Sequence, residues 1–162
     1  VLVAAGGTTL VFALWWSYFI MPSGPFLHRY RERAWVWGYG HIVVFASLVG
    51  VGSGLHVAAQ VISHEAHVEA WFALVCVAVP VLVFELALFA LYSMLVRRFD
   101  PFHLVLFAGS VVLLLVGVAV VAAGASIGVA LLVVAASPAV IVVGYETLGH
   151  RHQAELFADE PG

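Results

Sequence analysis

The chain has 162 residues, 64% of them hydrophobic and 9% charged, with a mean hydropathy of +1.12. This lies well outside the composition of a soluble domain and describes an integral membrane protein. The formal net charge is −3, lysine is absent and the six arginines fall in three short clusters, so a nucleic-acid partner has no electrostatic footprint.

The first apolar run covers residues 1–21, long enough for a hydrocarbon core of about 30 Å. No basic region precedes it, so a cleavable signal peptide is not expected. Its end carries Trp15, Trp16, Tyr18 and Phe19, rings whose N–H and O–H groups favour the headgroup level. Pro22 and Pro25 then stop the span, and Arg29, Arg31 and Arg33 make the following loop basic.

A second span, residues 35–62, carries polar groups along its length, among them His41, His56 and Gln60. Ala46, Gly50 and Gly54 recur every four residues and predict a stripe where another helix backbone comes close. The connection that follows holds His64, Glu65, His67 and Glu69 but no arginine. It lacks the HExxH spacing of a zinc site and reads as a set of surface histidines.

The third span, residues 70–96, contains Cys76, Pro80 and Glu85. The single cysteine cannot close an intrachain disulfide and reads as a small core residue. Pro80 removes one backbone hydrogen bond and leaves a carbonyl in need of a partner. Arg97 and Arg98 close the span, and Pro101 restarts the chain. A fourth span (102–123) and a fifth (127–149) are joined by a tight hairpin, where Gly124 and Gly128 predict close packing of the two helices. The fifth contains Pro138 and ends near Glu146; residues 150–162 form a polar, acidic tail.

The fold class expected is therefore all-α, a polytopic bundle of five spans over residues 1–149. Every arginine falls after span one, three or five, and the other two loops have none. By the positive-inside rule the N-terminus lies outside and the C-terminal tail in the cytoplasm.

An ionisable group near the bilayer centre is costly and points by default at the bundle interior or a wet cavity. Glu85 is that group here, and His41, on the adjacent helix of an antiparallel hairpin, is the expected partner. Tyr39 and the carbonyl freed by Pro80 are structural alternatives. Tyr18, Trp15, Trp16, His103 and Glu146 fall in the same cytoplasmic half by helix rise, which suggests a polar relay or ligand site. His41 and His103 also allow a haem b held between two helices.

At FALWWSYF (residues 12–19) and RAWVWGYGHIVVFASLVGVGSGLHVA (residues 33–58), the chain resembles the bacterial low-temperature-requirement A family of multi-helix membrane proteins. The pattern is a helix ending in WW-x-YF, an irregular basic loop, then W-x-YGH opening a Gly/Ala-rich helix. The resemblance is closest over about residues 10–95, and it implies the C-terminal part of a longer protein in the bacterial plasma membrane. Trp15, Trp16, Tyr18, Tyr39, Gly40 and His41 match its motif. The expected function is non-enzymatic: a subunit of a larger membrane assembly or a transport-related half, with a Glu/His network inside and no cofactor. A haem b-bearing redox anchor is the alternative. The partners expected are the lipid bilayer and either a second copy or another membrane subunit.

Overall fold

A computed structural model describes residues 1–21, 23–96 and 101–149. Among them, five helices are long and apolar enough to cross a membrane. They are α1 (Leu2–Phe19), α3 (Ala34–Ile62), α4 (Ala70–Val96), α5 (Pro101–Ala122) and α6 (Ile127–Gly144). The loop after α1 is not irregular throughout, since it folds into a short helix α2 (Ser23–Arg29) and a 3₁₀ turn (Arg31–Arg33). The last span continues beyond α6 as one π turn, Tyr145–Gly149. The tail expected over residues 150–162 and the pair Arg97 and Arg98 lie outside the described residues.

Local chemistry sets the helix ends. Pro101 begins α5, where a missing N–H costs nothing. Ser126 caps α6, its Oγ accepting from the Val129 N–H at 3.4 Å. At the end of α5, Gly124 takes φ +98°, which lets the Ala125 N–H reach back to the Val120 carbonyl at 3.1 Å. His64 does the same after α3 at φ 60°, with the Glu65 N–H donating to the Gln60 carbonyl at 2.9 Å. Both ends are left-handed helix stops. Gly124 is therefore a turn residue and not a packing residue, because nothing lies within 4 Å of its side-chain position.

The spans are apolar on every side, as suits helices whose outer face meets lipid. Consecutive helices pack as antiparallel neighbours from α3 through α6, and α6 then packs along α1, so the first and last spans of the chain lie side by side. Gly128 serves that last contact: a β-carbon there would stand 2.8 Å from Leu2 Cβ and 3.2 Å from the Val3 nitrogen. It packs on α1, whereas the sequence suggested α5. α4 touches α3, α5, α6 and α2, which makes it the central helix.

The seam between α3 and α4 follows Val44, Ser47, Val51, Gly54 and Ala58, steps of three and four that track one face. A strict four-residue series drifts by about 40° per step. Gly54 accordingly sits in the seam, Gly50 at its edge with Pro80 Cβ 3.0 Å from its side-chain position, and Ala46 is exposed. Of the three positions, Gly50 and Gly54 face α4 and Ala46 does not. The carbonyl that Pro80 deprives of a donor belongs to Cys76, four residues back, and its oxygen is the first atom a side chain on Gly54 would meet.

Candidate functional site

Three polar side chains meet in the middle of the bundle, one from each of α4, α5 and α6. Glu85 is 3% exposed, and Ser110 and Ser137 are fully buried. The Ser137 hydroxyl donates to Glu85 Oε1 at 2.7 Å, the Ser110 hydroxyl bonds Oε2, and the two Oγ atoms lie 2.7 Å apart. Glu85 stands 11 residues before Val96, Ser110 9 after Pro101 and Ser137 12 before Gly149. At about 1.5 Å per residue all three lie roughly 14–18 Å from the arginine face, near the bilayer centre.

This arrangement replaces the expected pairing of Glu85 with His41. Cys76, Pro80 and Leu91 of α4 face glycines of α3, and five residues on from Pro80 the helix has turned by roughly 140°. Glu85 therefore faces α5 and α6. The serines carried a signal that went unused, because counting residues from the arginine face puts both at the depth of the glutamate.

Toward the arginine face a cavity of about 40 Å³ opens beside the carboxyl group, room for roughly one to three waters. Its polar lining is Ser17 of α1, Glu85 and Tyr92 of α4, His103 of α5, and Tyr145. The Tyr145 hydroxyl donates to that of Tyr92 at 3.1 Å, and the His103 ring packs on both, with centroids 4.8 Å from Tyr92 and 5.3 Å from Tyr145. Tyr145 opens the π turn, a local widening frequent at functional sites.

His41 belongs to a separate cluster. Its Nδ1 lies 2.6 Å from the Trp37 carbonyl, which can only accept, so Nδ1 carries the hydrogen. The neutral ring's Nε2 then accepts from the Tyr18 hydroxyl at 2.9 Å. This half-buried pair ties α3 to α1. Of the other residues in the expected relay, Trp15 and Trp16 are exposed on the lipid side of α1, and Tyr39 is exposed and stacked on Trp35 at 6.2 Å. Glu146 is exposed at the π turn. The structure does not bring these four to Glu85. A haem between His41 and His103 does not fit these residues: both nitrogens of His41 are committed to hydrogen bonds, and the two imidazoles sit against different aromatic groups.

One arginine of the basic loop is not at the surface. Arg33 is 9% exposed; its guanidinium lies 4.0 Å from the Tyr30 ring centroid and donates to the Leu95 carbonyl at the end of α4. A cation at a helix C-terminus offsets the partial negative charge of the last carbonyls. The loop after α1 and the end of α4 therefore meet on one face, as the arginine distribution requires.

Compared with known proteins, residues 1–138 match the family model described as bacterial low temperature requirement A protein. No curated protein and no solved structure gives a significant match.

Proposed function

The chain belongs to the bacterial low temperature requirement A family, and from that premise we propose that it is a non-enzymatic, transport-related part of a larger membrane assembly, built around Glu85. It is an integral membrane protein of five apolar spans. The supporting observation is the buried carboxyl group at mid-membrane, satisfied by serines from two other helices and bordered by a small cavity that Tyr92, His103 and Tyr145 also line. Buried ionisable groups of this kind are expensive in a bilayer and mark ion or substrate paths by default.

In this reading the protein sits in the bacterial plasma membrane with its N-terminus outside and its arginine loops in the cytoplasm. A second copy or another subunit packs against its lipid-facing surface. A shallow apolar groove between α4 and α5, lined by Val75, Val79, Leu82, Val111 and Leu115, suits a lipid chain or an apolar helix.

The test is ion flux into liposomes containing the assembly extracted from its native membrane, with intact-mass and absorption measurements on the same sample. A colourless sample whose flux falls at least tenfold in Glu85→Gln, with unchanged folding and subunit content, supports the proposal. Equal flux in wild type and variant overturns the transport role, and a Soret band would return attention to the redox alternative.

A further inference from the structure

We infer that the ion handled by this core is the proton, carried on Glu85 in a closed ring with Ser110 and Ser137 and exchanged with the arginine face alone, through the cavity that reaches Tyr92. Its use in transport rests on the function proposed above; the placement of the proton does not.

The hydrogen count carries the first half. Four oxygens, two of Glu85 and one from each serine, make three contacts in a row. Each contact needs one hydrogen, and the two hydroxyls bring only two. The third is the carboxyl proton. The carboxyl O–H then donates to one serine, that serine to the other, and the second back to the free carboxyl oxygen. Without that proton the two Oγ atoms would face each other, lone pair to lone pair, at 2.7 Å.

Oxygens already at hydrogen-bond distance leave no gap for a metal cation, whose oxygen ligands stand about 2.3–2.6 Å from its centre in the case of Ca²⁺. Release follows simply. The carboxyl O–H bond breaks, its electron pair stays on Glu85, and the proton passes to a water in the cavity, forming hydronium. The Ser110–Ser137 contact then loses its hydrogen and must open, so loss of the proton loosens α5 from α6.

The second half rests on what surrounds the ring. On the arginine side lies the cavity, about 10 Å long from Glu85 to Tyr92 by helix rise. The titratable groups lining it beside Glu85 are Tyr92 of α4, His103 of α5 and Tyr145 of the π turn, with Glu146 exposed on the same turn; α1 and α3 bring Tyr18 and His41, which bond each other. Arg33 reaches the end of α4 from the loop. On the opposite side the buried faces of α4, α5 and α6 continue away from the ring as Val77, Val81, Leu114, Val121, Leu131 and Val134, none more than 4% exposed. No polar side chain of theirs can hold water there.

Two readouts that need no flux test the inference in the assembly reconstituted in bilayers. Infrared spectra should contain a carboxylic acid C=O stretch that vanishes in Glu85→Gln and shifts in Ser110→Ala and Ser137→Ala. A wild-type spectrum without a band removed by Glu85→Gln would overturn the proton's placement. In a Cys76→Ala background, Leu88→Cys should react with a membrane-impermeant thiol reagent from the arginine face at least tenfold faster than Val81→Cys from either face. Equal labelling of the two would overturn one-sided access. If both readouts succeed while the assembly carries no ion, the transport proposal fails and the proton site stands.

Discussion

The hydrogen that Gly54 carries in place of a side chain points at the carbonyl oxygen of Cys76, and a β-carbon there would also stand 2.8 Å from the Val77 nitrogen. This is a Cα–H···O contact of the kind that draws membrane helices together, and it falls on the carbonyl that Pro80 leaves without its own donor. Pro80 in α4 and the glycine in α3 thus answer one another. Gly54→Ala must push the two backbones apart and should destabilise the bundle by about 1–3 kcal/mol. Gly52, with nothing within 4 Å of its side-chain position, is the control: Gly52→Ala should be neutral or slightly stabilising. Reversible unfolding in mixed detergent micelles measures both.

Ser110→Ala and Ser137→Ala each strip one partner from the buried carboxyl group. Each single change should cost about 0.5–2 kcal/mol, at the modest end known for side-chain hydrogen bonds in membranes. Because the serines also touch each other, the double variant should cost less than the sum of the two singles. The same unfolding assay applied as a double-mutant cycle reads the coupling; strict additivity would mean that the three groups do not act as one ring.

The hydrogen on His41 is fixed by its neighbours. Nitrogen NMR of the labelled imidazole should show the Nδ1–H form, since the Trp37 carbonyl accepts from that atom. Tyr18→Phe removes the donor to Nε2 and should shift the Nε2 resonance while leaving Nδ1 protonated. The stability cost should be small, about 0.5–1 kcal/mol.

Arg33 gains from geometry as well as charge. Arg33→Ala loses both the bond to the Leu95 carbonyl and the contact with Tyr30, and should cost about 1–2 kcal/mol. Arg33→Lys should recover only part of this, because an ammonium does not stack on a ring as a planar guanidinium does.

The loop after α3 offers a gain. His64 holds a left-handed backbone, a conformation that costs a side chain about 1 kcal/mol and glycine nothing. His64→Gly should therefore raise stability by up to about 1 kcal/mol. A loss of stability would point to a role for the imidazole beyond ending α3.

The spans were legible because length, hydropathy and the alternation of arginine-bearing loops all pointed to the same five helices. Glu85 stood out for the same reason, as a lone carboxyl group in an apolar run. Its partners did not, because neighbours in sequence are not always neighbours around a helix. Glu85 leaves α4 on the side away from α3, so the nearer hairpin partner, His41, was the wrong choice. Serines in an apolar helix look like ordinary small residues until their depths are compared. Trp15, Trp16 and Tyr39 were singled out by their depth and by a motif that records residue types, and neither carries information on which way a side chain faces. Gly124 and Gly128 show the same limit: a spacing that fits helix contact served a turn at one position and a different helix at the other.

The packing of α1 along α6 also sets an order of assembly. During synthesis the hairpins α3–α4 and α5–α6 can form as soon as their two members have entered the membrane, each joining segments close along the chain. α1 meets α3 through Tyr18 and His41, but its longer contact is with α6. The α1 face with Gly6 against Leu131 and Leu2 against Gly128 gains this partner only once α6 has emerged, and loop-closure entropy must be met before that contact forms. A mutation at this seam should therefore show itself in the yield of inserted, protease-resistant protein, where a mutation within a hairpin would not.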